Sequence, residues 1–151
     1  MGYRRVLVGT DGSPTASTAV RHAARLAAAS GAELVVVTAY ARDAVHEREL
    51  AQERELAPDD VRWAITGSGE AEELLAEAKR IVAEQADLRL RSRAEPGDAA
   101  NVLIATAEEL QCDVIVLGNR GLSSPGRFLL GSVPGKVSHH APCDVLIVPT
   151  T

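Results

Sequence analysis

Aromatic side chains are almost absent from this sequence: Tyr3, Tyr40, Trp63 and Phe128 are the whole set. Surfaces that stack several bases are built from such residues, so sequence-tolerant single-strand binding is disfavoured. Lysine is scarcer still, with only Lys79 and Lys136, and the arginines are dispersed. The formal net charge is −5, whereas gripping a phosphate backbone needs a concentrated basic surface. No nucleic-acid partner is expected. Two cysteines, Cys112 and Cys143, are too few for the disulfide framework of a small secreted domain. No apolar run approaches the roughly 18 residues of a membrane span, and the first residues lack the apolar stretch of a secretory signal. The expectation is a cytoplasmic chain with no membrane partner.

What is present is a regular alternation of short apolar runs and helical patterns. The 151 residues suit one compact domain and are too few for two ordinary ones, so 1–151 reads as a single domain. Arg5-Val-Leu-Val-Gly9 is a buried strand ended by Thr10-Asp11-Gly12. Ser13 can cap a helix with Pro14 at its first position, and Gly31 can end it. Residues 33–40 form a second continuous apolar strand, and continuous rather than alternating apolarity means that both faces are covered. Residues 41–66 are charge-rich and read as a solvated excursion. A helix is expected from about Glu70 to Gln85 and an edge strand from Leu88 to Arg93, where leucine and arginine alternate. A third helix opens at Gly97-Asp98 with Val102, Leu103, Thr106 and Leu110 inward. Strand 114–118, a short helix from Ser132 to about His140 and a last strand Val145–Val148 follow.

This order is a doubly wound α/β pattern: a five-stranded parallel sheet, order 3-2-1-4-5, with helices on both faces. Ligands in such sheets sit at the carboxyl ends of strands where the winding reverses, here between strands 1 and 4. The segments meeting there are Thr10-Asp11-Gly12-Ser13 and Gly118-Asn119-Arg120-Gly121.

The second segment continues, nine residues on, to Gly131-Ser132 at a helix start. Glycines let backbone N–H groups approach a phosphate closely, and a helix N-terminus adds unpaired donors and partial positive charge. Ser132 can cap the helix or offer its hydroxyl to a phosphate oxygen, while Arg120 and Arg127 can neutralise charge. Gly126 and Gly131-Ser132 have Walker spacing, but the lysine that a Walker loop requires is missing. No GxGxxG follows the first strand, which disfavours a Rossmann dinucleotide binder. Paired acidic residues after strand 1 are absent, which excludes a phosphoacceptor receiver domain.

The spacing Gly118-x2-Gly121-x9-Gly131-Ser132 resembles the G-2x-G-9x-G-(S/T) signature of ATP-binding universal stress proteins. The opening VLVGTDGSPTAS, the helix Gly131-Ser-Val-Pro-Gly-Lys-Val and the ending His140-Ala-Pro-Cys-Asp-Val-Leu-Ile-Val-Pro149 are similar to that family in order and spacing. The resemblance implies that Asp11 meets the ribose and that Gly118, Gly121, Gly131 and Ser132 hold the phosphates. It also implies that the backbone around Thr38 and Ala39 borders the adenine. Thr10, Gly12, Asn119, Arg120, Arg127 and Val133 complete the expected contact set. The complete glycine loop is similar to the family's ATP-binding members. ATP, with or without Mg²⁺, is the implied ligand, and cyclic AMP the alternative within the family.

No nucleophile with its base, and no carboxylate pair placed for acid–base work, stands out, so at most slow ATP hydrolysis is expected. A true ATPase or adenylating enzyme, and a dimeric scaffold that binds no nucleotide, are the competing readings. His139 and His140 are adjacent and cannot form an i, i+4 metal pair. Cys112 and Cys143 precede strands 4 and 5 in nearly the same words and are expected to lie close together but reduced. The last strand reads as an apolar edge without a protecting charge, a template for a homodimer joined through Val145–Val148, and the resemblance implies the same.

Overall fold

A computed structural model describes residues 2–40, 67–119 and 131–149. Its strands are β1 (Arg5–Gly9), β2 (Glu33–Tyr40), β3 (Leu90–Pro96), β4 (Val114–Gly118) and β5 (Asp144–Val148). The helices among the described residues are α1 (Pro14–Ser30), α2 (Gly67–Val82), α3 (Ala99–Leu110) and α4 (Ser132–His140). All strand pairs are parallel, in the order β3-β2-β1-β4-β5, as expected from the sequence.

The continuous apolar strands feed two core layers because successive side chains point to opposite faces. Val6, Val8, Leu34, Val36, Val114 and Val116 pack beneath α1 and α2. Leu7, Val35, Val37, Ile115 and Leu117 pack with α3 and with Val137 of α4. α1 presents a stripe of small residues, Ala19, Ala23, Ala24 and Ala27, that lets it lie close to the sheet.

Local chemistry sets the helix ends. Ser13 caps α1 by accepting from the Ala16 N–H, and Gly31, at φ 66°, closes it. Asp98 caps α3 by accepting from the Asn101 N–H, and Gln111 ends it in the left-handed region. α2 runs three residues earlier at both ends than expected. Past Val82 the chain tightens: Glu84 and Gln85 donate to the carbonyls three residues back, at Ile81 and Val82. β3 also differs from the Leu88–Arg93 expectation. It pairs with β2 along Leu34↔Leu90 to Tyr40↔Pro96, so its span is set by its partner rather than by its own alternation. Its arginines guard the edge through Arg91 with Glu33 and Arg93 with Glu95 and Glu109.

β5 is the other edge. It begins at Asp144, which accepts from the Tyr3 hydroxyl, so the strand does carry one charge at its first residue. Beyond it, Leu146 is 40% exposed, the one large hydrophobic so exposed among the described residues.

Candidate functional site

The turn after β1 is held by its own short polar side chains. Asp11 Oδ1 accepts from the Ser13 N–H at 2.9 Å, and Thr10 Oγ1 accepts from the Gly12 N–H at 3.2 Å. Ser13 Oγ lies 3.0 Å from Thr15 Oγ1 and accepts from the Ala16 N–H. Asp11 is thus pinned through one carboxylate oxygen while its side chain stays exposed. Gly12 has φ +80°, which favours glycine in this turn, and a Cβ there would lie 2.3 Å from Leu74 Cδ2 and push that side-chain end aside.

The β4 end is built by backbone. Asn119 N–H donates to the Val148 carbonyl at 3.0 Å, and the Asn119 carbonyl accepts from the Gly131 N–H at 3.1 Å. That second bond brings the start of α4 beside the end of β4. The helix cap here is Gly131, with no side-chain hydrogen bond. Ser132, expected as a possible cap, is instead the first helical residue. It is exposed, and its hydroxyl makes no hydrogen bond among the described residues.

Between these two constructions lies a cavity of about 170 Å³ at the carboxyl end of the sheet. One wall is apolar: Val37, Ala39, Val102, Leu103 and Leu117. The other is polar: Thr10, Asp11, Ser13, Thr15, Gly118 and Ser132. The first turns of three helices face it, through Thr15 and Ala16 of α1, Ala99 of α3, and Ser132, Val133 and Pro134 of α4. Each helix start carries partial positive charge. Ser13 already caps α1 and Asp98 caps α3, whereas α4 has no side-chain cap. The uncapped start is where an anion gains most. Asp98, which also pairs with Lys136 at 3.3 Å, is held below the usual carboxylate range by the Asn101 N–H and then by Lys136.

Of the residues expected at the site, Thr10, Asp11, Ala39, Gly118, Ser132 and Val133 line the cavity together. Gly12, Asn119 and Gly131 adjoin lining residues in the chain and do not themselves line it. Thr38 was expected through its backbone, and its side chain does not line the cavity: strand alternation turns it away from the face of Val37 and Ala39, and its hydroxyl is buried without a hydrogen-bond partner among the described residues. Arg120, Gly121 and Arg127 lie outside the described residues. Val37, Thr15, Ala16, Ala99, Val102 and Leu103 line the cavity without having been expected there. The period-two rule applied to β2 selects Val37 over Thr38, and the helix starts at Pro14 and Ala99 point to the others.

Among the described residues no group of three or more His, Cys, Asp or Glu could hold a metal ion, and no helix is long and apolar enough to cross a membrane.

The universal stress protein family model matches residues 2–149. This chain belongs to the universal stress protein family. It is 37% identical to a universal stress protein of Mycobacterium tuberculosis over 149 residues, 99% of this chain and 98% of the relative. A universal stress protein solved in complex with cAMP is 34% identical and superposes with a TM-score of 0.72, covering all of both chains. A universal stress protein of Archaeoglobus fulgidus solved in complex with dAMP is 22% identical, with a TM-score of 0.67 over 97% of this chain and 98% of that one. That last likeness is one of fold alone.

Proposed function

We propose that the chain is a regulatory, adenine-nucleotide-binding universal stress protein whose first ligand is ATP. The observation that carries this reading is the start of α4, without a side-chain cap and with a Ser132 hydroxyl unpaired among the described residues, opening onto the same cavity as Gly118 and Asp11. The base would lie against Val37, Ala39, Val102 and Leu103, the ribose beside Asp11, and the phosphates along Gly118 and Ser132. In the sequence Arg120, Gly121 and Arg127 fall between those last two and would complete the phosphate contacts. The cavity is smaller than the roughly 300 Å³ at which typical ligand pockets begin, which suits a base and sugar with the phosphates extending outward.

Asp11 is the one carboxylate on the cavity wall among the described residues, so in this reading Mg²⁺ would arrive on the triphosphate oxygens rather than in a protein-built cage. Among the described residues neither a nucleophile with an adjacent base nor a second carboxylate lines the cavity, and the reading takes occupancy rather than turnover as the output. The chain acts in this reading as a cytoplasmic homodimer joined through Val145–Val148, with no nucleic-acid or membrane partner.

A second reading, cyclic AMP as the ligand, is favoured by the 34%-identical relative solved with cAMP. Calorimetric titration of nucleotide-stripped protein with ATP, cyclic AMP and GTP decides between them. Adenine-selective binding with ATP tightest supports the first reading, and cyclic AMP tightest supports the second. Binding of none of the three overturns both and leaves the scaffold reading.

A further inference from the structure

At the amino-terminal edge of the sheet, far along the strands from the cavity, two thiols approach one another. β4 and β5 pair with Val114 opposite Asp144 and Ile115 opposite Val145. Continued one step back, that register sets Asp113 opposite Cys143, while the Asp113 N–H is used on the other side, donating to the Arg5 carbonyl of β1. Cys112 is one residue further. The matched words before the two strands are therefore offset by one position. On an extended strand that offset would turn the two side chains to opposite faces, but Cys112 precedes β4 and is still in the turn after α3, its N–H donating to the Ala107 carbonyl. Both side chains join the same core cluster beneath α3 and α4. Cys112 is 6% exposed, Cys143 is half-buried, and both are free thiols.

We propose that Cys112 and Cys143 are an oxidative modification site, converted by a hydroperoxide into an intramolecular disulfide. The more accessible Cys143 sulfur attacks the peroxide. An S–O bond forms, the O–O bond breaks, and the thiol proton leaves with the alcohol, or with water when the oxidant is hydrogen peroxide. The Cys112 sulfur then attacks the Cys143 sulfur, forming S–S and breaking S–O, and its proton leaves in a second water. Two thiols lose two electrons and two protons, and one hydroperoxide is reduced.

The surroundings keep this reaction slow. Burial pushes the Cys112 thiol up to about 11, aided by Cys143, Asp113 and Glu33 and opposed by Arg5. Burial also raises Cys143, followed by Asp144 and Asp113. Little thiolate is present near neutrality, so the pair responds to sustained oxidant rather than to ordinary turnover. The cysteines bracket the stretch that carries Gly118, Asn119, Gly131 and Ser132. Their disulfide ties the two ends of that stretch at the edge of the sheet opposite the cavity.

The test is to treat the full reduced chain with hydrogen peroxide and map its peptides. The expected product has lost two hydrogens by intact mass, remains monomer-sized on a non-reducing denaturing gel and yields a Cys112–Cys143 linked peptide that dithiothreitol separates. Its thermal midpoint rises by roughly 5–10 °C, the expectation for closing a loop of this size. Cys143→Ser, at a half-buried position, keeps the native circular dichroism and loses both changes. Unaltered thiols, a sulfinic acid at Cys143 or a cross-link between chains would each overturn the site. A linked peptide with an unchanged midpoint would overturn its tightening of the fold.

Discussion

The Gly131 N–H and the Asn119 carbonyl meet at 3.1 Å, so the start of α4 is fastened directly to the end of β4. Gly131 itself has φ −60° and ψ 163°, a conformation open to any L-residue. Its glycine is therefore not required by its dihedral angles, and in the proposed reading it serves the close approach of a phosphate. Gly131→Ala should fold with a loss of less than about 1 kcal/mol in denaturant titration. Its nucleotide affinity should fall at least about tenfold, a loss of about 1.4 kcal/mol. Unchanged affinity would mean that the ligand's phosphates lie elsewhere.

Gly12 presents the opposite case. At φ +80°, with Leu74 Cδ2 only 2.3 Å from a would-be Cβ, alanine is both strained and crowded. Gly12→Ala should cost about 2 kcal/mol or more in urea unfolding. Adding Leu74→Ala should recover less than its own cavity cost, because the backbone strain remains.

Asp98 supports the cavity from the α3 side. Asp98→Ala removes the cap and the Lys136 partner and should cost about 1 kcal/mol near neutral pH. The carboxyl is held below the usual carboxylate range in the folded chain, so its contribution is present above that range. It is lost as pH falls through the lower folded value. The gap between wild type and variant should accordingly close in acid, as read from thermal midpoints across pH 2 to 7.

Leu146, exposed on the β5 edge, should report on assembly. Leu146→Lys is expected to turn a dimer into a monomer by light scattering, while keeping the native circular dichroism. A wild-type monomer would remove the dimer from the account.

The fold was largely legible because the strands are apolar on both faces, which leaves a parallel sheet between helix layers as the consistent solution. Ser13, Pro14, Gly31 and Asp98 marked helix ends by chemistry that acts within a few residues. What was not legible depends on partners distant in sequence. β3 takes its limits from β2, and the Cys112–Cys143 offset comes from the β4–β5 register. That Asp11, Gly118 and Ser132 would come together at one cavity was readable because turn chemistry and glycine spacing are local. The apolar wall of Val102, Leu103 and Leu117 was not, because those side chains read equally well as core. Thr38 entered the expected set through its backbone, by the family resemblance, and its side chain belongs to the other layer.

The most direct test of the site is to map amide chemical-shift changes while ATP or cyclic AMP is added to isotope-labelled protein. Changes should concentrate at Gly9–Ala16, Val37, Ala39, Ala99, Gly118, Asn119 and Gly131–Val133, with the α1–α2 side of the sheet nearly silent. Changes centred on that other side, for instance around Arg21 and Gln85, or no changes at all, would contradict nucleotide binding at the carboxyl end of β1 and β4.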